Sequence, residues 1–290
     1  MSGVNRVWDR WRNLKWNTLK WYQAIAMGTI QHPNMVSKPF QDRFGVDLSP
    51  KNCIVAYHGV GEPTNEGFYG RISIEQFEAD IAYLSHTFDV VSLDDVFLGD
   101  TSGRIAITFD DGLRSVHSEV LPVLRRFDVH ATVFLNPGFL NNRQPKTIVE
   151  RHGIRSDDRI MLSDAEVLVL VEEPLVSIGN HTRTHRNLGA IDDATELHEE
   201  VLGGKRLIED RYGAVVEAFS YPYGASSDEA RRIVEETHTI SVTTEPSLLE
   251  PPASGHRLPR LEAHHSSMKL CWQLLRYGST VDGFRESNPG

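Results

Sequence analysis

From about residue 51 onward, short runs of β-branched and apolar residues alternate with segments of helical periodicity. The runs read as strands over residues 53–57, 89–91, 104–108, 131–135, 175–178, 216–220 and 239–243, with a weaker one at 257–260. Between them, Ser73-Ile74-Glu75-Gln76 and Ser163-Asp164-Ala165-Glu166 read as helix-starting capping boxes, the first feeding Phe77, Ile81 and Leu84 at helical spacing. Residues 116–126, 194–212 and 228–236 read as helices for similar reasons, and there is no internal repeat or low-complexity tract. The alternation predicts an α/β fold, an irregular (β/α) barrel of about seven strands.

The start of the chain follows a different pattern. Placed at about 100° per residue, Val4, Val7, Trp8, Trp11, Leu14, Leu19, Trp21, Tyr22 and Ile25 fall on one broad side of a helix, with most charges opposite. Pro33, Pro39, Gly45 and Pro50 then mark a connector. The expected organisation is an N-terminal amphipathic helix and connector over 1–50, the barrel over 51–265, and a C-terminal helix and tail over 266–290.

Charge sharpens that division. Arg6, Arg10, Arg12, Lys15 and Lys20 against Asp9 give the first 26 residues a balance of +4, which leaves −14 on the remainder of a chain whose formal net charge is −10. A body that acidic repels polyanions, so nucleic acid is not an expected partner. The same stretch holds four of the five tryptophans. A basic, Trp-rich helix of this kind either lies on an anionic membrane surface or packs through residues 4–26 on the barrel or on a second subunit.

With 290 residues, 40% hydrophobic and 24% charged, the chain can bury a substantial core without metal or disulfide staples, and disorder is excluded. Cys53 and Cys271 form no disulfide framework and have no zinc-finger spacing. No apolar run approaches the roughly 20 residues of a membrane span, and no signal-peptide core precedes the barrel. The expected location is the cytoplasm, at the inner face of the membrane if the helix docks there.

In parallel α/β folds the reactive groups sit at the carboxyl ends of strands. Here those ends run into His58, into Asp110-Asp111-Gly112, into Asn180-His181-Thr182-Arg183-Thr184-His185, into Tyr221-Pro222-Tyr223-Gly224, and into Arg260. His181 and His185 are four apart, which on a helical turn puts both imidazoles on one face within reach of one ion. Taken alone, the pair reads equally as two surface histidines, and Asp-Asp-Gly is a common turn. Together, two His and one Asp make the open three-ligand arrangement of a catalytic metal, with the second Asp left over as a base.

Thr108-Phe109-Asp110-Asp111-Gly112 resembles the first motif of the polysaccharide deacetylases, carbohydrate esterase family 4, and His181-Thr182-Arg183-Thr184-His185 resembles their second. Tyr221-Pro222-Tyr223-Gly224 is similar to the third, and the likeness runs from about residue 52 to residue 262 in matching order. Two positions depart from the family pattern. Ser220 stands where the third motif usually has Arg, and the late Leu-x-His motif has no match, with His264 and His265 as the nearby candidates. Ile54-Val55-Ala56-Tyr57-His58 is similar to the opening strand of a rearranged subgroup in which this early His does the late motif's work, and Leu258-Pro259-Arg260 is similar to the segment that supplies the arginine there.

The resemblance implies a divalent metal, Zn²⁺ first among candidates, on Asp111, His181 and His185. It implies Asp110 as the base, the backbone N–H of Tyr223 as an oxyanion donor, His58 as the acid for the leaving amine, and Arg260 as the group that orients Asp110 or tunes its pKa. The implied reaction removes the N-acetyl group of an amino sugar in a glycan or lipid-linked precursor, giving acetate and a free amine. An inactive glycan-binding relative of the same fold is the alternative. The facial triad of non-haem iron oxygenases also uses two His and a carboxylate, but on a β-sandwich scaffold.

Overall fold

The computed structural model describes residues 51–61, 71–97, 103–142, 160–249 and 254–263, together with Leu270 and Leu274. The helix expected over 4–26, its connector, His264, His265 and most of the expected C-terminal helix and tail lie outside these residues.

Ten strands are described: β1 (Cys53–Tyr57), β2 (Gly59–Val60), β3 (Arg71–Ile72), β4 (Asp89–Val90), β5 (Arg104–Phe109), β6 (Ala131–Leu135), β7 (Val176–Asn180), β8 (Ala218–Ser220), β9 (Ile240–Val242) and β10 (Leu261–Glu262). Seven of them form one curled parallel sheet in the order β10-β1-β5-β6-β7-β8-β9, with β4 paired beside the first residues of β5. The small β2–β3 pair was not expected, because two residues are too few to show a period.

The curl brings the two ends of this order together. Leu258 bridges Val242 of β9, its N–H donating to the Ser241 carbonyl at 2.8 Å and its carbonyl accepting from Thr243 N at 2.9 Å. Three residues on, Leu261 pairs with Val55 of β1. The strand expected at 257–260 is thus a single bridge at Leu258, with the regular strand displaced to Leu261–Glu262. Pro259 between them has no N–H to give to a ladder. This seam closes the barrel and carries Arg260 into it.

Both faces of the sheet are covered, so β1 is buried at all five positions and the strands read as apolar runs rather than strict alternations. Val55, Tyr57, Ile105, Ile107 and Phe109 pack in one cluster with Phe77, Ile81 and Leu84 of helix α1 (Ile74–Thr87). Their sequence neighbours Ile54 and Ala106 belong to a second cluster with Phe134, Ala218 and Val242, the interior of the barrel.

Helix starts follow their side chains. Ser73 Oγ accepts from Gln76 N at the head of α1, but the Gln76 side chain donates to Asp80 instead of completing the expected box. Before α3 (Asp164–Val171) the box is complete, with Glu166 N donating to Ser163 Oγ and Ser163 N donating to Glu166 Oε2. The helix expected over 116–126 opens with a π turn at Val116–Val120 before α2 (Leu121–Phe127). That expected over 194–212 is α4 (Ala194–His198), a π turn (Glu199–Gly203) and α5 (Gly204–Tyr212) in succession. Helix α6 (Asp228–Thr237) is capped by Ser227. Among the described residues, no helix is long and apolar enough to cross a membrane.

Candidate active site

At the end of β5 the chain turns through two left-handed residues, Asp111 (φ 74°) and Gly112 (φ 65°). The side chains of Asp110 and Asp111 take different surroundings, although both are nearly fully buried. Asp110 N donates to the Tyr57 carbonyl at 2.9 Å, which ties the end of β5 to the end of β1.

Asp111 faces the histidines. Its Oδ1 lies 3.3 Å from His185 Nε2 and 3.6 Å from His181 Nε2, and the two rings meet edge to face at 4.8 Å. One ligand atom from each of Asp111, His181 and His185 can be chosen so that all lie within 4.8 Å of one another, with all three residues buried. His181 Nδ1 is 2.7 Å from the Ser220 carbonyl, an acceptor, so the proton sits on Nδ1 and the Nε2 lone pair points toward Asp111. Burial lowers the His181 pKa from its ordinary value, against the opposing pull of Asp110 and Asp111. A neutral imidazole is the form that ligates a cation. The donor set fits a divalent ion of the zinc class.

The one-sided placement of the imidazoles does not come from a helical turn. Residues 181–186 are a loop in which Thr182 (φ 63°) and His185 (φ 56°) are left-handed. With Asp111 and Tyr223 (φ 60°), four of the seven described non-glycine residues of positive φ fall on these strand-end segments. Each such residue costs on the order of 1–3 kcal/mol, so the surroundings must dictate the loop's shape. Asn136, just past β6, does part of this: its Nδ2 donates to the carbonyls of His181 and Thr182, the latter at 3.1 Å. Gly138 N donates to the Arg183 carbonyl at 2.9 Å, an approach that a Cβ, 2.7 Å from that oxygen, would prevent.

Asp110 is held by Arg260, which has no exposed surface, while its Oδ2 stays 3.9 Å from His181 Nε2. Every N–H of the guanidinium is used. Nε donates to the Thr243 carbonyl (2.8 Å), Nη1 to Asp110 Oδ1 (2.9 Å) and Thr108 Oγ1 (3.1 Å), and Nη2 to Asp110 Oδ2 (2.7 Å) and Ser220 Oγ (2.9 Å). Burial pushes the Asp110 carboxyl up, but Arg260, and after it His181 and His58, outweigh this and hold it well below the usual carboxylate range. Ser220 Oγ also donates to Asp110 Oδ2 at 3.3 Å. The serine in place of the expected arginine is therefore a partner of an arginine arriving from the seam.

His58 follows β1, half-buried, and is among the charges acting on Asp110. Tyr223 sits in a short 3₁₀ turn (Pro222–Gly224), its ring half exposed and 5.0 Å from the His185 ring, edge to face. The structure thus gathers all seven sequence-predicted positions at one mouth of the barrel. Thr108, Ser220 and Asn136 join them. Their roles are set by partners 40 to 152 residues away, such as Arg260 Nη1 on Thr108, which no local pattern shows. Asn180, the last residue of β7, and Glu245, just beyond β9, serve the framework: Asn180 Nδ2 donates to the Val201 carbonyl, and the Glu245 carbonyl accepts from Arg260 N.

A curled parallel α/β sheet with a buried Asp/His/His cluster at its carboxyl edge defines the class: an α/β barrel protein with a candidate catalytic metal centre. Residues 99–240 match the model of the family described as polysaccharide deacetylase, a stretch that holds both Asp residues, both His residues and Tyr223 but neither His58 nor Arg260. The provisionally named polysaccharide deacetylase YxkH of Bacillus subtilis is 24% identical over 201 residues, 67% of this chain. The chain spans 64% of the length of that relative. Among solved structures, a polysaccharide deacetylase of Bacillus cereus has TM-score 0.63 at 21% identity, covering 78% of this chain and 69% of its own. IcaB of Ammonifex degensii has TM-score 0.64 at 18% identity, covering 79% and 97%. These two share the fold. The likeness to polysaccharide deacetylases thus covers just under half of the chain in the family model and a longer stretch in the Bacillus subtilis relative.

Proposed function

We propose that this protein hydrolyses the N-acetyl amide of an amino sugar in a glycan or lipid-linked glycan precursor, releasing acetate and a free amine. The observation that carries the reading is the division of labour between two adjacent carboxylates. Asp111 turns to His181 and His185, while Asp110 is gripped by Arg260 and stays ionised. Asp111, His181 and His185 would hold the divalent ion, zinc by its donor set. When bound, such an ion supplies Lewis acidity to a carbonyl and lowers the pKa of a water toward about 7, which suits a base as weak as Asp110.

The residues of the chain do the rest. Asp110 accepts the proton of the attacking water, and Arg260 keeps its carboxylate charged and fixed in plane. The Tyr223 backbone N–H donates to the oxyanion, a contribution of about 2.7–4 kcal/mol for one such donor. His58 gives its proton to the leaving amine, the assignment that places this chain in the subgroup opening with a Tyr-His strand. Residues 4–26 dock on an anionic membrane surface and bring a lipid-linked substrate to the barrel mouth.

Paired variants test the division. Asp110→Asn should keep its zinc and lose acetate release from N-acetylglucosamine oligomers by a factor of about 10²–10⁴. Asp111→Ala and His181→Ala should lose both. Full zinc content in the Asp111→Ala and His181→Ala proteins, by elemental analysis, would refute the ligand assignment.

A further inference from the structure

The His181–His185 loop is held on its second side by an element that the proposed chemistry does not use. Helices α4 and α5 are joined by the π turn Glu199–Gly203, a widened turn of a kind that recurs at functional sites. It carries Glu200, whose side chain is buried against the loop. Glu200 Oε2 accepts from Thr184 N at 2.9 Å and Oε1 from Thr184 Oγ at 2.5 Å, while its backbone carbonyl accepts from Arg183 N at 2.8 Å. These three bonds fall on the two residues directly before His185, between the two left-handed positions.

The approach is built into the neighbouring glycine as well. A Cβ on Gly204 would stand 2.8 Å from Asn180 Oδ1 and 2.9 Å from Arg183 N, so only glycine lets the turn come this close. Burying a carboxylate is costly unless donors meet it. Here the backbone N–H and hydroxyl of one loop residue do so.

We propose that Glu200 is a positioning residue for the candidate metal centre: it fixes Arg183 and Thr184 and thereby sets His185 against Asp111. The inference rests on the reading of Asp111, His181 and His185 as ligands. Without the carboxylate, the left-handed conformation at His185 loses its counterweight, and the imidazole samples directions away from Asp111. The groups that orient metal ligands typically govern affinity by about 10–100-fold.

The test measures zinc affinity of the full chain by competition with a chromophoric chelator, alongside thermal melting of the metal-free protein. Glu200→Ala should melt cooperatively without metal yet bind zinc about 10–100-fold more weakly. Thr184→Val, which removes the hydroxyl donor, should weaken binding by less, and Thr184→Ser, which keeps both donors, should bind as wild type does. A folded Glu200→Ala protein with wild-type zinc affinity overturns the inference. If Glu200→Ala does not fold, the Thr184 pair decides: Val weaker than Ser supports the inference, and Val equal to Ser overturns it. Zinc binding that Asp111→Ala abolishes and Glu200→Ala leaves intact sinks this inference alone, whereas a wild-type chain that takes up no zinc sinks the ligand reading and the inference together.

Discussion

An arginine inside a barrel is tolerable only where every donor finds an acceptor, and Arg260 meets that condition with five bonds, two of them to Asp110. Removing it leaves a buried carboxylate without its counter-charge. Arg260→Met should lower stability at neutral pH by about 3–5 kcal/mol, measured by denaturant unfolding. The pH dependence follows from the direction of the Asp110 shift. In the wild type the folded-state pKa lies below the unfolded value of about 3.9, so the stabilisation is present above that value and is lost as the pH falls toward the folded pKa. In the variant, burial is opposed only by His181, His58 and the Ser220 hydroxyl, and the folded-state pKa rises from its wild-type position. The deficit should therefore be greatest near neutral pH and shrink on acidification through the raised pKa. A deficit that does not change with pH would mean that the guanidinium acts by packing rather than by charge.

Among the elements, the strands were the most legible part of the chain. Burial on both faces makes β1 and β5 continuous apolar runs, and residues 53–57 and 104–108 are recognisable without any partner in view. The capping box at Ser163 and Glu166 was equally plain, since a cap is a contact over three residues. The motif residues at the strand ends were legible as candidates because parallel strands place their ends at one mouth. The shape of the His181–His185 segment was not. Spacing of four reads as a helical turn, whereas the loop's left-handed residues are dictated by Asn136, Gly138 and Glu200, contacts that local periodicity does not encode. Arg260 was readable as a candidate, but the seam that delivers it depends on Pro259 breaking a strand between two neighbours distant in sequence.

At the scale of the whole molecule, closure of the sheet brings β1, β5 and the seam together, so that His58, Asp110 and Arg260, from widely separated parts of the chain, share one end of the barrel. The basic stretch with its balance of +4 supplies a charge opposite to that of the rest, at −14. Replacing Arg6, Arg10, Arg12, Lys15 and Lys20 by Gln in the full chain should abolish co-sedimentation with phosphatidylserine vesicles, and added salt should weaken wild-type binding. Equal binding by both proteins would assign the stretch to protein packing instead. The central claim, that Asp111, His181 and His185 hold an ion on which amide hydrolysis depends, is tested most directly by titrating zinc into chelator-treated protein while following acetate release from N-acetylated glycans. Release should rise from baseline in proportion to added zinc and level off at one equivalent per chain. Release that persists undiminished after chelation, or that stays at baseline for every glycan while one zinc binds, would contradict it.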